Sequence, residues 1–211
     1  GQAKQYPDGG NYFEGTQFGE NLITGYPIGA GGVAFTLWKL YDASGDVAFR
    51  DATKGVDEFY RAIYVKDDQG FVKIPHALGE EHPVYYLGYC GGNAGVARYF
   101  YKLYEETGNQ RDLDEAAHLL DSIVAAGAPE VHSDGYWNTV AQCCGSASIL
   151  NSFVGLYYGS GDVRFLDYAK RTAEQLIGDA HHDFAEDGTE SVRWYEAYTR
   201  LEPENISALT G

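Results

Sequence analysis

The chain contains three cysteines, and their positions follow a regular spacing. Cys90 lies two residues before Gly92, and Cys143 lies two residues before Gly145. Cys144 follows directly, and each of the two glycines opens a stretch of helical periodicity. Three thiolates that meet at one point can bind zinc and leave its fourth tetrahedral position open, which is typical of a catalytic site. We therefore predict that Cys90, Cys143 and Cys144 bind one zinc ion.

The open position would take water or the thiol of a substrate. A thiol bound to zinc loses its proton near neutral pH and becomes a usable nucleophile. A plainer interpretation is that the cysteines are buried and act as small hydrophobic residues. An odd number of cysteines, two of them adjacent, fits a disulfide framework badly. A disulfide between the neighbours Cys143 and Cys144 is the alternative pairing, and it would be strained.

A threefold repeat surrounds the cysteine motifs. Each copy begins at an anchor glycine, has a Leu-Tyr pair eleven residues later and a second glycine sixteen residues after the anchor, and continues into an amphipathic helical pattern. The anchor glycine, leucine and second glycine of the three copies are Gly29, Leu40 and Gly45; Gly92, Leu103 and Gly108; and Gly145, Leu156 and Gly161.

This repeat predicts an all-α fold, an α/α toroid of helical hairpins with the glycine-rich helices inside. A hairpin that cannot bury its apolar face alone must stack on copies of itself. We expect hairpins near 29–64, 92–126 and 145–178, in a toroid domain 29–211 that follows a loop-rich segment 1–28. The inner helices of a toroid converge at one rim, so the cysteines would meet there.

Three repeats are few for a closed ring. We therefore predict that the toroid is incomplete in this chain and that the remainder of its own chain is a partner. In the first hairpin we expect one outer helix from about Asp46 to Tyr64, followed by a turn at 67–70 and a short extended segment at 71–74. The expected buried face of that helix is Val47, Ala48, Val56, Phe59, Tyr60 and Ile63.

Composition narrows the class of partner. A chain of 211 residues that is 44% hydrophobic is long enough to bury one core without staples. The net charge of −16 argues against nucleic acid and against an anionic membrane, since both require a basic surface. No apolar run is long enough to span a membrane. Free cysteines favour the cytoplasm, and secretion stays an open alternative.

The six histidines have no spacing typical of a metal site. His76 and His82 precede the first cysteine motif, in a loop that could fold over the rim. The remaining four lie in an outer-helix pattern, in the loop before the cysteine pair and in a polar loop: His118, His132, His181 and His182.

Two motifs resemble those of the lanthionine synthetase C-like family. Residues 89–95, Tyr-Cys-Gly-Gly-Asn-Ala-Gly, are similar to the family's Trp-Cys-x-Gly-x-x-Gly, and residues 143–147 are similar to its Cys-Cys-Gly variant. The resemblance covers about residues 25–211. It implies an α/α toroid in which Cys90, Cys143 and Cys144 are the zinc ligands.

The resemblance also implies an activity. Members of the family bind a cysteine-containing peptide and add its thiol to a dehydrated residue, which closes a thioether ring. The family's catalytic histidine aligns with Ile28, so the catalytic group of this chain is not assigned. Tyr89 replaces the family's tryptophan, Gly91 follows the first ligand, and Tyr86 stands where arginine is common. We expect Tyr86 and Tyr89 to contact substrate.

Two other classes of function compete with this interpretation. One is a toroid that binds a small thiol or a peptide without catalysis, which the missing histidine favours. The other is an α/α-toroid glycoside hydrolase or polysaccharide lyase. That class requires positioned carboxylates, and the starts of the inner helices show no such pair in the sequence.

Overall fold

The computed structural model describes residues 3–13, 21–131 and 139–194, which contain helices and short strands. The helices are α1 (Ala30–Ser44), α2 (Val47–Asp51), α3 (Val56–Ile63), α4 (Asn93–Thr107), α5 (Gln110–Ala125), α6 (Ser146–Ser160) and α7 (Val163–Gly178). The strands are β1 (Lys4–Gln5), β2 (Asn11–Tyr12), β3 (Leu22–Ile23), β4 (Val65–Lys66), β5 (Val72–Lys73), β6 (Ala77–Leu78), β7 (His181–Phe184) and β8 (Glu190–Arg193). They pair antiparallel as β1 with β2, β3 with β6, β4 with β5 and β7 with β8.

The predicted all-α toroid of helical hairpins is confirmed. Helices α1, α4 and α6 form the inner layer, in which α4 packs between α1 and α6. Helices α3, α5 and α7 cover them on the outside, and α5 also contacts α6. A continuous apolar core lies between the two layers and contains Phe59, Phe100, Leu119 and Phe153, all fully buried. None of the helices in the described ranges is both long and apolar enough to cross a membrane.

The second glycine of each repeat ends an inner helix. Gly45, Gly108 and Gly161 have φ of 72°, 67° and 74°, the left-handed conformation that glycine adopts without a steric penalty. The next residue begins the next helix with a side-chain cap. Asp46, Asn109 and Asp162 each accept a hydrogen bond from the backbone N–H two residues later. The sharp hairpin turn is therefore encoded by a Gly-Asx pair.

The anchor glycines fill a different need. They precede the inner helices in extended conformation, and a Cβ at Gly29, Gly92 or Gly145 would lie within 2.1 Å of a backbone carbonyl oxygen. That carbonyl belongs to the loop that leads into the same helix, Tyr86 for Gly92 and Thr139 for Gly145. Only glycine allows the loop to fold so closely against the helix start.

The prediction of one outer helix from Asp46 to Tyr64 is wrong. Two helices, α2 and α3, cover this range, and a turn at 52–55 separates them. Gly55 adopts φ of 81°, which a continuous helix does not allow. Val56, Phe59, Tyr60 and Ile63 are buried as expected, whereas Val47 and Ala48 in α2 are exposed.

The N-terminal segment, expected to be mostly loop, contains three short strands in its described part. Strand β3 pairs with β6, which brings the residues before α1 against the loop that precedes the first cysteine motif. The expected turn at 67–70 joins β4 and β5 into a hairpin. These pairings fix the loops at the rim where the inner helices begin.

An ion-pair network joins the outer helices α3 and α5. Arg61 in α3 contacts Asp57, Asp112 and Glu115, and Asp112 is almost completely buried. Burial alone would lower the pKa of the Arg61 guanidinium, but its bonds to Glu115 and Asp57 outweigh that effect and hold the pKa above the usual value. Arg61 therefore stays charged and links α3 to α5.

Candidate metal centre

The loops that lead into α4 and α6 lie side by side and set the position of the cysteines. The Cys90 N–H donates to the Cys143 carbonyl at 3.1 Å, and the Tyr89 N–H donates to Ser148 Oγ at 3.0 Å. Gly88 lies so near this contact that a Cβ there would be 2.2 Å from the Cys144 carbonyl oxygen. Two backbone segments more than fifty residues apart are thus held in fixed register.

The three sulfurs converge at this contact. The Sγ atoms of Cys90, Cys143 and Cys144 all lie within 4.8 Å of one another, and those of Cys143 and Cys144 are 3.5 Å apart. Thiolates on one tetrahedral zinc ion are separated by roughly 3.8 Å, given Zn–S bonds of about 2.3 Å. The cluster therefore fits the donor set of a zinc site. Across the described ranges, no other three side chains of metal-ligating type come so close together.

Cys90 and Cys143 are joined by a disulfide. The expectation that the cysteines form no disulfide, with the neighbours Cys143 and Cys144 as the alternative pair, is therefore wrong. The same stacking of loops that collects the sulfurs brings the two Cα atoms to 5.8 Å, within the range of a disulfide. Because zinc binds thiolates, the predicted site requires the reduced pair. Ligation by the three cysteines stays a prediction.

His76 lies against the first cysteine motif. Its Nδ1 is buried and has no hydrogen-bond partner, and a Cβ added to Gly91, the residue after Cys90, would lie 2.6 Å from it. The ring packs edge-on against Tyr86, with centroids 4.7 Å apart. Burial lowers the pKa of His76, and the nearby Glu80 carboxylate opposes this.

The backbone of His76 is tightly held. Its N–H donates to the Val84 carbonyl at 2.7 Å, and its carbonyl accepts from the Thr24 N–H at 3.1 Å. The sequence placed His76 in a loop near the rim but gave it no role. The sequence signal for His76 was Gly91. A glycine directly after the predicted ligand Cys90 leaves room for the side chain of another residue.

The other histidines lie elsewhere. His82 is exposed, and Nε2 of His118 in α5 bonds the Gly70 carbonyl at 3.1 Å. His181 and His182 are exposed on β7, where His182 pairs with Glu190. His132 lies outside the described residues.

The two tyrosines expected to contact substrate flank the cysteines on different sides. Tyr86 packs on His76, whereas the Tyr89 ring packs edge-on against Tyr26 with centroids 5.1 Å apart. The Arg98 guanidinium lies over the Tyr89 ring, 5.3 Å from its centroid. Sequence reasoning missed Arg98, although its position on the second turn of α4 follows from the repeat. Substrate contact by Tyr86 and Tyr89 stays a prediction.

The carboxylates that a glycoside hydrolase requires are not at the starts of the inner helices. None of the inner helices α1, α4 and α6 carries an acidic residue in its first turn. The starts of α4 and α6 follow the cysteine motifs instead.

The comparisons with known proteins agree with this architecture. The family model described as lanthionine synthetase C-like protein matches residues 11–198. Among solved structures, nisin cyclase superposes with a TM-score of 0.62 at 15% identity, over 76% of this chain and 41% of that one. This chain therefore spans about two fifths of the length of nisin cyclase. No curated protein matches the sequence.

Glycoside hydrolases share the fold at similar distance. A family 76 mannosidase from Bacteroides thetaiotaomicron gives a TM-score of 0.57 at 15% identity, over 86% of this chain and 52% of that one. A family 76 α-mannanase from the same organism gives 0.54 at 18% identity, over 92% and 51%. The superpositions establish the α/α toroid, whereas identities this low leave the chemistry open. The family match covers most of the chain, so the protein belongs to the lanthionine synthetase C-like family.

Proposed function

We propose that the reduced protein binds zinc through Cys90, Cys143 and Cys144 and activates a thiol for thioether formation. The thiol would belong to a cysteine-containing peptide or a small molecule, and its acceptor would be a dehydrated residue of a peptide. The observation that carries this proposal is the convergence of three sulfurs at the starts of α4 and α6. Membership of the lanthionine synthetase C-like family and the nisin cyclase fold support it.

The protein would prepare the sulfurs through the helices that follow them. Cys90 and Cys143 lie two residues before the N-caps of two helices of fifteen residues, where partial positive charge favours thiolate over thiol. The backbone bond between the two cysteines keeps both sulfurs at the same edge. When bound, zinc would lower the pKa of an incoming thiol and hold its sulfur as the nucleophile.

His76 is the group that we propose handles the proton. In the addition, the thiol sulfur forms a bond to Cβ of the dehydrated residue while the C=C electron pair moves to Cα. The proton that the thiol lost must then be delivered to Cα, so the net change is addition of S–H across the double bond. A histidine whose backbone is held by two hydrogen bonds and whose ring lies against Gly91, the residue after Cys90, can carry that proton through its ring nitrogens.

A non-catalytic thiol- or peptide-binding toroid is the second candidate. Its support is Ile28, which occupies the position of the family's catalytic histidine at the start of α1 and is 41% exposed. An isoleucine there transfers no proton. A pure binder would need the same cysteine cluster but no acid or base beside it.

Elemental analysis tests the metal. Protein purified under reducing conditions without added metal should hold about one zinc per chain, and Cys90→Ala should lose most of it because two thiolates bind far less tightly than three. Cys144→Ala should behave in the same way, whereas Ser160→Ala, far along α6, should keep its zinc. Absence of zinc from the reduced wild type, or full retention in Cys90→Ala, would overturn the proposal.

Alkylation of free thiols tests the reaction. A dehydrated, cysteine-containing peptide incubated with zinc-loaded protein should lose its alkylatable thiol as the thioether forms. If the peptide binds but its thiol stays alkylatable, the protein is a non-catalytic binding toroid and the proposal of thioether formation is wrong.

A further inference from the structure

A cavity of about 270 Å³ lies between the inner helices α1, α4 and α6 and also contacts the outer helix α5. Its volume approaches the lower end of sites that bind small molecules, about 300 Å³. The walls carry aromatic and polar side chains, and one wall is an open glycine position. The residues used below are Phe35, Arg98, Tyr101, Glu105, Asn151 and Gly155.

The end of the cavity formed by Arg98 contacts the first cysteine motif through Tyr89. Arg98 lines the cavity and stacks on Tyr89, the residue that directly precedes Cys90. Side chains on a helix lean toward its N-terminus, and in α4 that direction leads to the cysteine motif. Arg98 therefore presents its guanidinium at the end of the cavity that contacts the first cysteine motif.

Arg98 forms no ion pair with a carboxylate in the described part of the chain. Five other arginines lie within ion-pair distance of a carboxylate. In a protein of net charge −16, Arg98 has no carboxylate partner among residues 3–13, 21–131 and 139–194. Stacking on Tyr89 occupies a face of the guanidinium and leaves its N–H edges able to bind a planar anion with two hydrogen bonds.

Glu105 gives the cavity a direction. It lines the same wall seven residues further along α4, which places it roughly 10 Å from Arg98 along the helix axis. An anionic group is repelled at that end and attracted at the Arg98 end. A bound carboxylate would therefore lie at the Arg98 end of the cavity, the end that contacts the first cysteine motif through Tyr89.

We propose that Arg98 binds the carboxylate of the thiol substrate, so that the preferred thiols carry a carboxylate a few bonds from sulfur. A C-terminal cysteine of a peptide has this arrangement, and so does a small mercapto acid. The inference rests on the proposed function, because the thiol must be held at the cysteine cluster. Arg98 then selects among thiols and is a binding residue.

Calorimetric titration of the zinc-loaded, reduced protein with mercaptopropionate and with its neutral amide tests the inference. The two ligands share the thiol and the chain length and differ only in charge. We expect wild-type protein to bind the acid about tenfold more tightly, the effect of one charge-assisted bidentate contact. Arg98→Gln should lose this preference by weakening the acid alone, and Arg98→Lys should keep part of it. The matched control is Arg111→Gln, an exposed arginine on α5 that should leave the preference unchanged.

The outcomes separate the two proposals. If neither ligand binds the zinc-loaded wild type, thiol activation itself is wrong. If both bind equally well to wild type, or Arg98→Gln keeps the preference, thiol binding stands and the role of Arg98 is wrong. Weaker binding of the amide as well as the acid to a folded, zinc-loaded Arg98→Gln protein would also contradict a charge-selective role.

Discussion

The cysteine cluster is assembled by small residues around it. Gly88 lets the Cys144 carbonyl approach, and Gly25 in the loop before α1 does the same for Cys90, whose carbonyl oxygen would be 2.0 Å from a Cβ at that position. Each loop thus packs on the loop of the next repeat through a glycine four residues before its anchor. The sulfurs converge because successive loops stack without side chains between them.

His76 gives the sharpest test at the level of single residues. Replacing it with Gln keeps a polar group of similar size but removes the proton carrier, so thioether formation should slow by about 100-fold while zinc content stays at the wild-type level. Gly91→Ala should also slow the reaction, because its Cβ would displace the rings of His76 and Tyr86, each with an atom 2.6 Å away, without altering a cysteine. Single-turnover rates and zinc content, measured on the same samples, check both variants. Unchanged rates in both would show that another group carries the proton.

Sequence reasoning reached the cysteines but not their surroundings. The equal distance of Cys90 and Cys143 from an anchor glycine was enough to predict that the two sulfurs meet. The number and spacing of the cysteines could not predict the disulfide between them, since its formation depends on the distance between two loops. His76 and Arg98 were missed because each reaches the site through a fold contact that leaves no motif.

At the level of elements, the repeat is a rule for turning the chain. An inner helix ends at a left-handed glycine, and the next residue caps the following helix. The first hairpin departs from the rule in its outer helix, where Gly55 splits the range into α2 and α3. The three hairpin turns could be predicted from the sequence, because a glycine at a fixed distance after the anchor typically ends a helix in the left-handed conformation. Gly55 carried a comparable signal, but the apolar periodicity on both sides of it concealed the break.

Two glycines in or beside α6 should respond to alanine in opposite ways. Gly161 adopts φ of 74° at the end of the helix, so Gly161→Ala should destabilise the fold by about 1 kcal/mol. Gly155 lies inside the helix with open space where a Cβ would be, so Gly155→Ala should stabilise it by roughly 0.5 to 1 kcal/mol. Urea denaturation of the two variants and wild type measures both changes. A loss of stability in Gly155→Ala would contradict the open space at that position.

At the level of the whole molecule, the toroid separates architecture from chemistry. Nisin cyclase and family 76 glycoside hydrolases both superpose on this chain, so the stacked hairpins alone do not define a reaction. In this chain the rim carries sulfur, in the loops before α4 and α6. The toroid was predictable because three hairpins repeat in sequence, whereas the short strand pairs that brace the rim were not, since two-residue strands have too little pattern to detect.

Because the cysteines join the loops of two hairpins, metal should stabilise the entire fold. Zinc at about a thousand times its dissociation constant would add about 4 kcal/mol to the stability of the reduced protein, which corresponds to a rise in Tm of roughly 8 to 16 °C for a domain of this size. Cys90→Ala should show little of this rise, and Mg²⁺ should have no effect on either protein because thiolates select softer metals. Thermal melts under reducing conditions, with and without a chelator, measure the shift. An equal zinc-dependent rise in Cys90→Ala would mean that the stabilising metal binds elsewhere and that the cysteines do not couple the hairpins through it.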